Sequence, residues 1–133
     1  MAERVEFTVD IRSMDNGHIC RIADNLREAL EQETKKIGGS YEIETKLATD
    51  PTPMSREMLG VLEESCRERG YSYRYLPSGA GHDAQEMAKT APAAMLFVPS
   101  RAGRSHCPEE YTEYEDLARA AEVMGELAEQ LII

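Results

Sequence analysis

Tryptophan is absent and phenylalanine occurs only twice, so large aromatic anchors are scarce in these 133 residues. The three cysteines, Cys20, Cys66 and Cys107, are odd in number and far apart. They make neither a disulfide framework nor a Cys-x-x-Cys metal knuckle, and reduced thiols are expected. No apolar run approaches the roughly 20 residues that span a bilayer. Behind the opening Met1-Ala2-Glu3-Arg4 there is no apolar stretch of the kind a secretory leader carries. Positive charge is short as well: 15 Lys and Arg face 25 Asp and Glu. Nucleic-acid binding rests on clustered Lys and Arg, so this balance argues against it. Gly-rich phosphate loops, a Ser–His–Asp order and a His-Glu-x-x-His pattern are also missing. The expectation is a soluble, cytoplasmic chain with neither nucleic acid nor membrane among its partners.

What is present reads as alternating strands and helices. Val5-Glu6-Phe7-Thr8-Val9-Asp10-Ile11-Arg12 alternates apolar and polar side chains, the pattern of a strand with one packed face. Ser13 to Gly17 supplies turn and cap chemistry. From about Asn16 to Lys36, Ile19, Ile22, Ala23, Leu26, Ala29 and Leu30 fall on one helical stripe, and Gly38-Gly39 ends it. A strand is expected over Tyr41 to Leu47, then a rigid Asp50-Pro51-Thr52-Pro53 linker. Ser55 caps a helix that buries Met58, Leu59, Leu62 and Cys66 and closes at Gly70. Tyr71 to Leu76 reads as a third strand.

The character changes at Pro77. Ser78-Gly79-Ala80-Gly81-His82-Asp83-Ala84 is a small-residue loop leading into a short helix, and Ala93 to Val98 is a continuous apolar run. Such a run is typical of a parallel strand buried on both faces. Pro99 to Pro108 is irregular. Thr112 and Glu115 suggest a capping box, with Leu117, Ala120, Ala121, Met124, Leu127, Ala128 and Leu131 marking the last helix. The fold class expected is α/β: an α+β module, then a closing βα piece of a doubly wound domain. One strand and one or two helices cannot cover both faces of a buried strand, so the second half should belong to a larger sheet.

Three side chains have chemistry with two readings each. His106, in Ser105-His106-Cys107-Pro108, is either a solvated loop histidine or a transition-metal ligand. His82 is either a helix-start residue beside Asp83 or a ligand-contacting imidazole in a loop whose glycines allow close backbone approach. Arg12 either pairs with Asp10 or Asp15 at the surface or holds a substrate carboxylate in a bidentate fork. One histidine cannot hold a catalytic metal, which usually takes three or more protein ligands. A Cys107–His106 nucleophile pair is disfavoured, since adjacent residues on a strand or loop point apart.

The same residues carry a resemblance. Phe7-Thr8-Val9-Asp10-Ile11-Arg12, Pro51-Thr52-Pro53-Met54, Ser78-Gly79-Ala80-Gly81-His82-Asp83-Ala84-Gln85, Phe97-Val98-Pro99-Ser100 and Ser105-His106-Cys107-Pro108-Glu109-Glu110 occur here in order. Together they resemble the hydantoinase/carbamoylase family of dinuclear-metal amidohydrolases, in the aminoacylase/carboxypeptidase superfamily. Its members hydrolyse N-carbamoyl-L-amino acids, allantoate and related ureido acids with metal-activated water. The resemblance implies that residues 4–77 are a lid and dimerisation domain lacking its first strand. Residues 78–133 would be the C-terminal segment of the catalytic domain. It implies that Arg12 binds the substrate carboxylate, that Gly81 and His82 contact substrate, and that His106 is a ligand to zinc or manganese.

Cys107 departs from the family, where Asn or Ser is more usual after the ligand histidine. The resemblance also places the other metal ligands and the general base in an N-terminal catalytic segment, upstream of Met1. The chain is therefore expected to be the C-terminal portion of such an enzyme, with no catalytic base of its own. It would act on a small ureido-acid substrate once that missing segment completes the site. The alternative is a catalytically inactive fragment acting only as a lid-type dimerisation module. Either way a homodimer or segment-swapped oligomer is expected, because the apolar strand needs neighbours.

Overall fold

The computed structural model describes residues 3–132. It contains four α-helices: α1 (Asn16–Ile37), α2 (Arg56–Glu68), α3 (Asp83–Met87) and α4 (Tyr114–Ile132), with a short 3-10 turn at Arg101–Gly103. The chain divides into two compact units. The first comprises residues 1–52 and 77–79, and the second comprises 53–76 and 80–133. No helix among the described residues is long and apolar enough to cross a membrane.

The first unit is built on α1. Asp15 caps it: the carboxylate accepts from the Gly17 N–H at 2.7 Å, satisfying a donor with no partner inside the helix. Gly38 closes it in the left-handed conformation, φ 63°, where a side chain would be strained. Gly39 N–H then reaches back to the Thr34 carbonyl at 2.9 Å. Ile19, Ala23, Leu26, Leu30 and Thr34 lie half-buried along one face, yet no residue of α1 is fully buried.

The second unit holds the core. Leu62 and Cys66 of α2 pack with Val123 and Leu127 of α4, flanked by Met58, Leu59, Val61, Tyr71, Ala94 and Leu96. Ser55 caps α2, its hydroxyl accepting from Met58 N–H at 3.3 Å. Its own N–H donates to the Ala93 carbonyl at 2.7 Å, tying the start of α2 to the apolar run that follows. Ser65 is fully buried, and its hydroxyl donates to Glu126 at 2.8 Å. Arg69 bonds the same Glu126 carboxylate and the Ser65 hydroxyl, so a polar knot is closed beside the apolar contact. The chain after α2 is held by phenols. Tyr71 donates to Glu122 (2.6 Å), while Tyr73 and Tyr75 both donate to Glu63 (2.8 and 2.7 Å).

Two expectations are corrected. Residues 5–12, 41–47, 71–76 and 94–98 were read as strands, but none of the described residues forms a β ladder. The α/β arrangement, and with it the doubly wound piece, is not observed. A helix satisfies its own backbone groups, whereas a strand must find a partner strand for every other one. Second, α4 begins at Tyr114, with the Glu113 carbonyl accepting from Asp116 and Leu117. Thr112 is therefore not its cap. The last helix is found where its apolar positions marked it, and it buries Val123 with Leu127, while Leu117, Met124 and Leu131 stay substantially exposed. Its apolar stripe is wider than the single neighbour α2 can cover.

Candidate functional site

Arg12 sits where the alternating segment ends, with Asp10 two residues before it on the same side. The Asp10 carboxylate accepts from Nε at 3.0 Å and from Nη2 at 2.5 Å. Nη1 donates to the Gly79 carbonyl at 2.5 Å, across 67 residues of sequence. This contact joins the end of the first motif to the start of the Ser78-Gly79-Ala80-Gly81-His82 loop. The hydrogen bond from Arg12 holds the Asp10 carboxyl below the usual carboxylate range, and Asp10 in turn raises the Arg12 guanidinium. Both side chains remain well exposed, at 60% and 65%. Of the two readings of Arg12, the pair with Asp10 is observed, and it leaves the guanidinium accessible.

In the second unit His82 takes the cap position of α3, with φ −136° and ψ 149°. Gln85 N–H donates to the His82 carbonyl at 2.9 Å, and the Gln85 side-chain oxygen accepts from the His82 N–H at 3.3 Å. The imidazole meets the Phe97 ring edge-on, with centroids 5.6 Å apart and planes at 68°. The helix-start reading of His82 is therefore observed, with the ring steadied by an aromatic edge contact. The sequence places Phe97 in an apolar run and in the Phe97-Val98-Pro99-Ser100 motif, and neither marks its contact with a histidine.

His106 lies in a loop stitched to itself. Ser100 Oγ donates to the Arg104 carbonyl (2.5 Å), and Arg101 N–H to the Tyr111 carbonyl (2.8 Å). The Arg101 guanidinium lies 4.2 Å over the Tyr111 ring. His106 is exposed and has φ 57°, a left-handed conformation uncommon for a residue with a side chain. Its N–H donates to the Glu110 carboxylate at 2.9 Å. Backbone strain of this kind gathers where surrounding contacts over-determine the chain. Cys107 beside it is half-buried, Cys66 is buried and Cys20 exposed, all three as free thiols.

A zinc or manganese centre needs several such side chains brought together. Among the described residues no group of three or more His, Cys, Asp or Glu is placed to hold a metal ion. The Glu110 carboxylate in the same loop is engaged by the His106 backbone N–H. His106 by itself does not amount to a metal centre. The structure thus brings Arg12, Asp10 and Gly79 together in the first unit. It places His82 and His106 separately within the second.

Relatives of known description match along most of the chain. An N-carbamoyl-L-amino-acid amidohydrolase from Pseudomonas sp. (strain NS671) is 34% identical over 124 residues, covering 93% of this chain and 30% of the relative. An allantoate amidohydrolase from Escherichia coli (strain K12) is 32% identical over 128 residues, covering 96% and 31%. A crystal structure from Burkholderia cenocepacia, assigned as an amidohydrolase/peptidase, superposes with a TM-score of 0.74 at 29% identity. That match covers 86% of this chain and 28% of the solved one. The chain therefore spans less than a third of each of these relatives. The pattern that describes peptidase family M20/M25/M40 runs through residues 3–130, and the chain belongs to that family.

Proposed function

We propose that this chain supplies the carboxylate-recognition part of a hydrolase acting on carbon–nitrogen bonds outside peptides. Its substrates are N-carbamoyl-L-amino acids or related ureido acids such as allantoate. The observation that carries the reading is Arg12, an exposed guanidinium held by Asp10 and the Gly79 carbonyl with N–H donors left over. A planar fork of this kind matches a carboxylate bidentately, and every substrate of the class bears one. The names of the relatives support the class of substrate.

Recognition is the chemistry these residues provide. Arg12 anchors the acid end of the substrate. Gly81 and His82 are assigned to substrate contact, with the His82 ring held edge-on against Phe97. The family's amidohydrolases generally use divalent metals. The described residues do not assemble a metal centre, so no step of water activation is assigned to them. His106 is assigned as a single contributing ligand. The remaining ligands and the base are assigned to the part of the relatives that this chain does not match. The product of carbamoyl cleavage is an amino acid, with ammonia and carbon dioxide.

The reading is tested by complementation. This chain is co-expressed with the portion of the Pseudomonas relative that lies outside the match. Co-purification shows assembly, and ammonia release from N-carbamoyl-L-amino acids and allantoate is measured with zinc or manganese. Turnover is expected only when both parts and metal are present, and His106→Ala removes it. An assembled pair that hydrolyses none of these compounds overturns the reading.

A further inference from the structure

Asp10 does more than neutralise a neighbouring charge. A guanidinium has five N–H donors in a rigid plane. Asp10 takes the Nε and Nη2 edge, and the Gly79 carbonyl takes one donor of Nη1. Gly79 also lies beside the aliphatic stem, since a Cβ built on it would sit 3.9 Å from Arg12 Cδ. One N–H is left on each terminal nitrogen once these bonds are counted. Donors on neighbouring guanidinium nitrogens are what a carboxylate accepts from. A free arginine on an exposed segment would sample many rotamers and lose that freedom on binding.

We propose that Asp10 is a positioning residue: with the Gly79 carbonyl, it clamps the Arg12 guanidinium so that its remaining N–H donors are held for the substrate carboxylate. The proposal rests on the carboxylate reading of Arg12 given above. An ordinary exposed ion pair contributes little and leaves both side chains mobile. Here a third contact from a distant part of the sequence fixes the plane of the group. The clamp also sets selectivity, because the charged donors left over favour one carboxylate and give a neutral ureido amide no partner of equal strength.

The test uses the chain as it stands, with its arginine side chains followed by ¹⁵N NMR. In the wild type the Arg12 Nε–H signal is expected to exchange slowly with solvent and to show hindered rotation. N-carbamoyl-L-alanine should shift the Arg12 signals, and the uncharged N-carbamoyl-alaninamide should not. In Asp10→Asn and Asp10→Ala the rotation is freed and the dissociation constant for the acid rises about tenfold, the scale of one charge-assisted hydrogen bond. Circular dichroism equal to wild type shows that the variants stay folded. If both variants keep Arg12 locked and bind the acid within about twofold of wild type, the clamp is refuted. Tighter binding in Asp10→Ala also refutes it, because Asp10 would then be a competitor of the substrate. If Asp10→Asn frees Arg12 but the acid never shifts it in the wild type, the carboxylate reading falls. The substrate role of Asp10 falls with it, while the clamp itself stands.

Discussion

The two units of this chain bury their apolar residues to very different depths. The helix α1 is capped at both ends and presents a regular apolar face, yet none of its residues is fully buried. In the other unit a shorter helix, α2, packs on α4 and closes a core of Leu62, Cys66, Val123 and Leu127. Capping and periodicity are equally good in both, so they do not explain the difference. Helix formation needs only local sequence, whereas burial needs a second surface at the right place. The lesson is that α1 stands on its caps and α2 on its neighbour.

The sharpest way to break that contrast is to remove the same atoms from each unit. Leu127→Ala should cost about 2–5 kcal/mol, because a fully buried leucine leaves a cavity behind. Leu30→Ala, from the half-buried face of α1, should cost less than about 1.5 kcal/mol. Urea titrations followed by circular dichroism measure both, and equal losses would end the distinction. A smaller effect, of opposite sign, is expected in the loop that carries His106. Ala102 has φ 56°, where a Cβ is strained. Ala102→Gly should relieve about 1 kcal/mol of that strain, offset in part by the greater freedom of glycine in the unfolded chain. Differential proteolysis of the loop reads the sign.

The smallest effect is electrostatic and appears in acid. Tyr75 and Tyr73 donate to Glu63 and hold its carboxyl below the usual range, with the Arg67 charge helping. Ser65 and Arg69 do the same for Glu126. In the first unit Arg12 lowers Asp10, and Lys35 lowers Glu31. A carboxyl whose folded pKa is depressed stabilises the fold fully above its unfolded pKa. That contribution is lost as pH falls through the folded value. Stability should therefore be level at neutral pH and decline below about pH 4.5, the ordinary carboxylate range. Tyr73→Phe with Tyr75→Phe should flatten the decline for the second unit, seen in urea midpoints between pH 7 and pH 3. An unchanged slope would remove Glu63 from the account.

Much of the helical structure could be read from the chain. Asp15, Ser55, Gly38 and Gly70 stand where the helices begin and end, because caps are local hydrogen-bond chemistry with few residue types suited to them. The register of α4 was harder. Leu117, Met124 and Leu131 and the pair Val123 and Leu127 are both regular stripes, and only the position of α2 decides which is buried. The alternating segments were legible as patterns but not as a sheet, since pairing is a property of two segments and periodicity of one. In the candidate site, Asp10 could be seen beside Arg12 because alternation puts them on one side. The Phe97 contact to His82 and the left-handed backbone of His106 depend on the path of the chain and carry no residue signature.

The bond from Arg12 to residue 79 has a consequence for how such a chain can change over generations. The acceptor is a backbone carbonyl, which any amino acid would offer. A Cβ at that position would meet Arg12 only at 3.9 Å, an ordinary contact. Substitution at 79 can therefore be frequent without loosening the guanidinium, and statistical comparison of sequences would find no covariation between positions 12 and 79. Selection would register at Arg12 and Asp10 alone, although the backbone of residue 79 also holds the group in place.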